Sequence, residues 1–243
     1  MRTTTPTLAR LLGLPMAAGL VLAGLAVAAP SSAQAADALT GAPAVGWCHD
    51  VTIKQAEAET LTTPVVACTA DHTLVTTAVV ALPANADLSS DDLDIDCTAA
   101  SRRAIGLNPL LRSLTLYSSF AFLPTAAQQG AGARWYSCHL GVWDTKGLND
   151  LPAKLPKLTK KPAKSVAKCA TKRDYVTCAE KHTYRATSAV YVKAKGSDKA
   201  VEKRLGVEGP RICAKRAGRT GFYAYYRHTP SKVVLTCFKK TKK

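Results

Sequence analysis

The sequence predicts an α+β protein made of two related disulfide-stabilised copies, each a small antiparallel sheet with one or two helices. Three observations carry this. The segment Cys68-Thr69-Ala70-Asp71-His72-Thr73 returns as Cys178-Ala179-Glu180-Lys181-His182-Thr183, so each half holds one Cys-x-x-x-His-Thr motif. Eight cysteines divide four and four between the halves, an even count that suits bridges formed in an oxidising compartment. Each motif then runs into alternating β-branched and polar residues, 74–82 and 184–192, the period of a half-buried strand. With 47% hydrophobic and 21% charged residues the 243-residue chain can build a core, which excludes a disordered protein. Sparse glycine and the absence of a long heptad register exclude collagen and coiled coil.

The first element is a targeting segment. Arg2 and Arg10 precede a continuously apolar or small run, 11–29, and Ala33-Gln34-Ala35 offers small residues for cleavage. Residues 1–35 therefore read as a signal peptide, which makes the remaining chain extracytoplasmic. The same run, if kept, is just long enough to anchor in a bilayer.

Residues 36–146 form the first copy. After its 74–82 strand, Ser89 or Ser90 can cap a helix over 91–97, whose aspartates would crowd the positive end of the dipole. A strand region over 114–124 follows, then a glycine-rich loop at 128–132 and a closing strand over 134–138 that ends in Cys138. Residues 147–168, with Pro152, Pro156, Pro162 and repeated lysine, read as an extended solvated linker. Residues 169–243 form the second, basic copy. There Ser197 and Asp198 can cap 199–205, Gly206 can end that helix, and Pro210 can begin another around Cys213. Strands over 222–230 and 232–237 close it. The two copies are either separate small domains or halves of one pseudo-symmetric module.

Local geometry supports one bridge directly. Cys169 and Cys178 flank Thr171-Lys172-Arg173-Asp174, and a hairpin turning there sets the two cysteines opposite each other. Correspondence of position extends this to Cys48 with Cys68, and pairs Cys97 with Cys138 and Cys213 with Cys237, helix to closing strand.

The opening Gly46-Trp47-Cys48, the Cys-x-x-x-His of Cys68 to His72, the helix-borne Cys97, and Pro124 followed by Trp135 and Cys138 resemble the septum formation domain of exported actinobacterial proteins. The resemblance spans nearly the whole chain after the signal segment, the first copy more closely. Asp71-His72 and Lys181-His182 stand where that family usually has Pro-His, and the second copy lacks the closing tryptophan. The resemblance implies an extracytoplasmic, non-enzymatic protein tied to septation or the cell envelope.

Chemistry beyond this is sparse in the sequence. His72 and His182 follow a cysteine at a metal-ligand spacing, yet an oxidised cysteine offers no thiolate. Both read as structural histidines heading a strand, and no metal or cofactor is expected. The chain has no Gly-x-Ser-x-Gly elbow, His-Glu-x-x-His helix or phosphate-cradling glycine loop, so no enzyme is predicted. Charge is more telling. Residues 37–146 hold 6 basic against 11 acidic residues, net −5, whereas residues 147–243 hold 25 against 6, net +19. A field of one sign over half a molecule attracts polyanions. Outside the cytoplasm these are anionic wall polymer or a membrane surface; nucleic acid has charge alone in its favour, and no specific recognition motif. The candidate contacts are Lys215, Arg216, Arg219 and Arg227, with the tail Lys239, Lys240, Lys242 and Lys243. Strand alternation sends Tyr223, Tyr225 and Arg227 to one face, a candidate binding surface, and Phe222, Ala224 and Tyr226 toward the core. The acidic first copy is left for an envelope protein partner.

Overall fold

The computed structural model describes residues 38–89, 93–159, 161–172 and 174–241. The signal segment, Ser90 to Asp92, and the tail lysines Lys242 and Lys243 lie outside the described residues. The chain is α+β with two antiparallel sheets. The first uses β1 (Cys48–His49), β2 (Val65–Val66), β3 (Leu74–Ala81), β4 (Tyr117–Phe122) and β5 (Trp135–Asp144) in the order β2-β1-β3-β5-β4, with β6 (Gly147–Asn149) added on β5. The second uses β7 (Lys168–Ala170), β8 (Tyr175–Thr177), β9 (Tyr184–Lys193), β10 (Phe222–Thr229) and β11 (Lys232–Lys240). Its order, β8-β7-β9-β11-β10, repeats that of the first sheet strand for strand.

The equivalence extends to register. Cys48 pairs with Val66 and Val75, and Cys169 pairs with Val176 and Arg185 at the same offsets from Cys68 and Cys178. Both long strands also carry an extra residue at the same place. In β3 the pairing skips Thr77, between Thr76–His139 and Ala78–Cys138, and in β9 it skips Thr187, between Ala186–Phe238 and Ser188–Cys237. A bulge re-aims the strand locally and increases its twist, so an identical bulge bends both sheets at one point.

Four disulfides join Cys48 to Cys68, Cys97 to Cys138, Cys169 to Cys178 and Cys213 to Cys237, leaving no free cysteine. Cys169 faces Val176 rather than Cys178, so the short bridge runs diagonally across the β7–β8 pair instead of directly across it. Four bridges indicate an oxidising, extracytoplasmic environment. Among the described residues no helix is long and apolar enough to cross a membrane.

The helices depart from expectation. The acidic stretch precedes the first-copy helix instead of forming it: α2 (Thr98–Ile105) starts after Cys97, and Asp96 accepts the Thr98 N–H at 2.7 Å. Two short helices flank it in sequence, α1 (Ile53–Ala56) and α3 (Pro109–Arg112), the latter capped by the Asn108 side chain. The expected loop at 128–132 begins as a helical turn, α4 (Ala126–Gly130), because Thr125 and Gln128 form a capping box. In the second copy one helix, α5 (Asp198–Ala217), runs through both Gly206 and Pro210. Tertiary packing overrides their breaking tendency. Val201, Leu205, Gly209, Cys213 and Ala217 recur every four residues as a buried stripe against Val233, Leu235 and Cys237 of β11.

The segment 147–168 is packed rather than solvated. Leu151 and Val166 insert with Leu116 and Val142 into one cluster, Leu158 joins Ile105 and Leu140 in another, and the Leu158 N–H donates to Ile105 O. Pro152, Pro156, Lys154, Lys157, Lys161 and Lys164 are exposed, and Leu151, Leu158, Pro162 and Val166 between them are buried and anchor the chain. The two copies share one compact unit. Along their seam the Leu116 N–H donates to Val166 O at 3.0 Å and the Lys168 N–H to Leu114 O at 2.8 Å, around an antiparallel bridge between Thr115 and Ala167. Leu114 is buried there with Ala170, Ala186 and Phe238 of the second copy.

Candidate functional site

The seam positions the most distinctive group of polar side chains in the molecule. Arg102 comes from α2, Arg112 from the last turn of α3, Tyr117 from the start of β4, Lys168 from β7 and Tyr226 from β10. They line a cleft of about 470 Å³ between the copies, and no described lining residue is acidic. The hydroxyls of Ser113 and Thr115, also in its wall, donate to their own helix's carbonyls, Leu110 O and Arg112 O. Thr98 and the His228 imidazole complete the lining, so most of the donors that face the cleft are cationic or phenolic.

These donors are poorly satisfied. The Nε atoms of Arg102 and Arg112 and the Tyr117 hydroxyl are buried without a hydrogen-bond partner. Burial pulls Arg112 below its ordinary pKa, and the neighbouring Arg102 charge adds to the fall. Lys168 is likewise lowered by burial, its ammonium lying 5.6 Å from the centre of the Tyr175 ring. Burial pushes the Tyr117 phenol up to about 12, so it keeps its proton at neutral pH and remains a donor. Tyr226 is half turned to solvent, and its hydroxyl reaches Pro109 O across the seam at 3.5 Å. Arg227, at the rim, is already engaged: its guanidinium donates to Asp198 at 2.6 and 2.8 Å and to Pro230 O at 3.0 Å.

The other described basic candidates occupy other surfaces. Lys215 and Arg216 are exposed on the last turn of α5, where the negative end of the helix dipole favours cations. With Arg211 and Ile212 they line a shallow hollow of about 390 Å³. Arg219 is exposed in the following turn, and Lys239 and Lys240 are exposed at the end of β11.

The predicted aromatic face needs correction. Alternation does separate Tyr223, Tyr225 and Arg227 from Phe222, Ala224 and Tyr226, but the first set faces α5. Tyr223 packs over Gly209, Arg227 pairs with Asp198 while staying exposed, and Tyr225 is exposed. That surface is mainly a helix–sheet contact. On the opposite face Phe222 stacks on Phe238 with centroids 4.3 Å apart, whereas Tyr226 is outside the core and borders the cleft.

The histidines hold local structure. His72 Nδ1 lies 2.9 Å from Ala70 O, and His182 Nδ1 lies 2.6 Å from Glu180 O, the same contact two residues back in each copy. The ligand atoms of Cys169, Cys178 and His182 lie within 4.8 Å of one another, but the two sulfurs are bonded together and supply no thiolate. A second histidine pair, His49 and His139, is buried in the first sheet. Desolvation lowers both, His139 to about 3, so both are neutral at physiological pH.

The fold and its sites define a class: a two-repeat, disulfide-stapled α+β protein with a cationic cleft at the repeat junction. Comparisons with family models, curated proteins and solved structures return no match.

Proposed function

We propose that the protein is exported, stays with the cell envelope, and binds anionic wall polymer or membrane surface without catalysis through its basic second half, in a septation or envelope context. The observation that carries this reading is the exposed run of Arg211, Lys215 and Arg216 along the end of α5, in a half whose net charge is +19. Clustered exposed arginine and lysine attract repeating anions over a Debye length, about 8 to 10 Å at ordinary ionic strength. The four disulfides and the 1–35 segment support export, and the resemblance to the septum formation domain supports the envelope context.

The test is co-sedimentation of the oxidised protein with purified cell wall, before and after its anionic polymers are stripped, across a salt series. Binding should disappear on stripping and fade by about 0.5 M salt, where screening shortens to roughly 4 to 5 Å. Exchanging Arg211, Lys215 and Arg216 for glutamine should weaken it. A second reading, a protein-interaction scaffold, is favoured by the exposed apolar residues Val45, Trp47 and Val65 around the Cys48–Cys68 end of the first sheet. Salt-resistant capture by an envelope protein would support that reading.

A further inference from the structure

We infer that the cleft at the repeat junction is a discrete binding site for a phosphate-bearing ligand, a phosphorylated polyol or sugar, held by Arg102, Arg112, Lys168 and Tyr117. This site is separate from the basic face of α5 and does not depend on the polymer reading.

The argument begins with what the cleft lacks. Buried arginines and lysines are normally paired, because a desolvated cation without a counter-charge is costly. Here three part-buried cations from three segments converge on one space without a lining carboxylate, Asp96 acting on Arg102 from outside the lining, and two guanidinium Nε donors and one phenol find no partner. Like charges held together in a partly dry space repel, and packing alone gains nothing from that arrangement. An anion in the cleft removes both penalties at once.

Charge and shape then select the anion. Guanidinium groups present forked donors that match the oxygens of phosphate, and an ammonium adds a point charge. Three positive groups exceed what a single carboxylate neutralises. The protonated Tyr117 hydroxyl donates one more hydrogen bond, and the three cations oppose a cationic ligand. The volume, about 470 Å³, falls among small-molecule sites and leaves room beyond a free phosphate ion. The lining beyond the cations is phenolic and hydroxylic with one imidazole, His228, which suits a polyol or sugar more than an apolar tail.

The site also needs both repeats. Arg102, Arg112 and Tyr117 belong to the first copy, Lys168 and Tyr226 to strands of the second sheet, and the Thr115–Ala167 bridge fixes their spacing. A composite site of this kind has no local sequence motif.

The test is calorimetric titration of the full oxidised protein with glycerol 3-phosphate, inorganic phosphate and acetate at about 0.15 M salt. Saturable binding of glycerol 3-phosphate is expected, with acetate at least about ten-fold weaker. Arg102→Gln and Arg112→Gln should each lower affinity about ten-fold, while the paired Lys215→Gln and Arg216→Gln variant should bind as the wild type does. Tyr117→Phe, which keeps the ring, should cost several-fold. Should an arginine variant fail to fold, acylation of the Lys168 amine in the wild-type protein gives an independent readout, and the ligand should slow it selectively. Absence of saturation up to about 10 mM overturns the proposal. So does unchanged binding in the folded arginine variants, equal loss in the α5 variant, or no protection of Lys168.

Discussion

Gly209 of α5 lies directly beneath the ring of Tyr223 on β10: a Cβ on Gly209 would stand 2.7 Å from Tyr223 Cζ. Three helical positions earlier, a Cβ on Gly206 would meet nothing within 4 Å. Alanine gains about 1 kcal/mol over glycine in a helix interior, so Gly206→Ala should stabilise the protein by roughly 0.5 to 1 kcal/mol. Gly209→Ala should destabilise it, because the ring must move away from the buried stripe. Denaturant unfolding of both single variants, and of Gly209→Ala combined with Tyr223→Ala, checks this; the double variant should recover part of the helix gain.

His139 takes the register position that Phe238 holds in the second sheet, and it packs edge-on against Phe122 at 4.9 Å. Its folded value of about 3 lies below the ordinary 6.5. Above about pH 6.5 both folded and unfolded states are neutral there, and the full stability is present. As pH falls from 6.5 toward 3, the unfolded chain takes up a proton that the folded one refuses. Stability should fall by up to about 1.4 kcal/mol per pH unit from this group, with His49 adding to the slope. His139→Phe should flatten the decline measured between about pH 6.5 and 5, before most carboxylates titrate.

The four bridges close loops of unequal length, with sequence separations of 9 for Cys169–Cys178 and 41 for Cys97–Cys138. Chain entropy assigns roughly 2.5 kcal/mol to the shorter and roughly 4 kcal/mol to the longer. Paired alanine replacements should therefore lower the denaturation midpoint more for Cys97 and Cys138. Equal midpoints in urea titrations would contradict that ordering.

Leu114 shares a buried cluster with Ala170, Ala186 and Phe238, so the first copy completes a core of the second. Thermal unfolding of the oxidised protein should give a single calorimetric transition rather than one per copy. Replacing Leu114 with alanine should lower that transition by the equivalent of about 2 to 3 kcal/mol while leaving it single.

The repeat was legible because cysteines mark equivalent places: the motif spacing, the long strands and the closing strands all correspond from one copy to the other. The bulge at Thr77 and Thr187 was not, since an extra residue in one strand is visible only against its partner. Gly206 and Pro210 pointed to a broken helix, and the four-residue stripe from Val201 to Ala217 outweighed them through burial. Lysine and proline made 147–168 look solvated, although Leu151, Leu158 and Val166 carry its contacts. The cleft was hidden for a different reason. Arg102 and Arg112 lie ten residues apart within a net-acidic copy, and only the seam brings them to Lys168.

All four bridges close inside one repeat, and none crosses the junction. Covalently, then, the molecule is two closed units on a single thread. One peptide-bond cut between Asn149 and Val166 would leave an acidic and a basic fragment with no bond between them. Non-covalent contacts at the seam alone would keep the fragments together, and an anion gripped from both sides would tighten the hold on a nicked molecule.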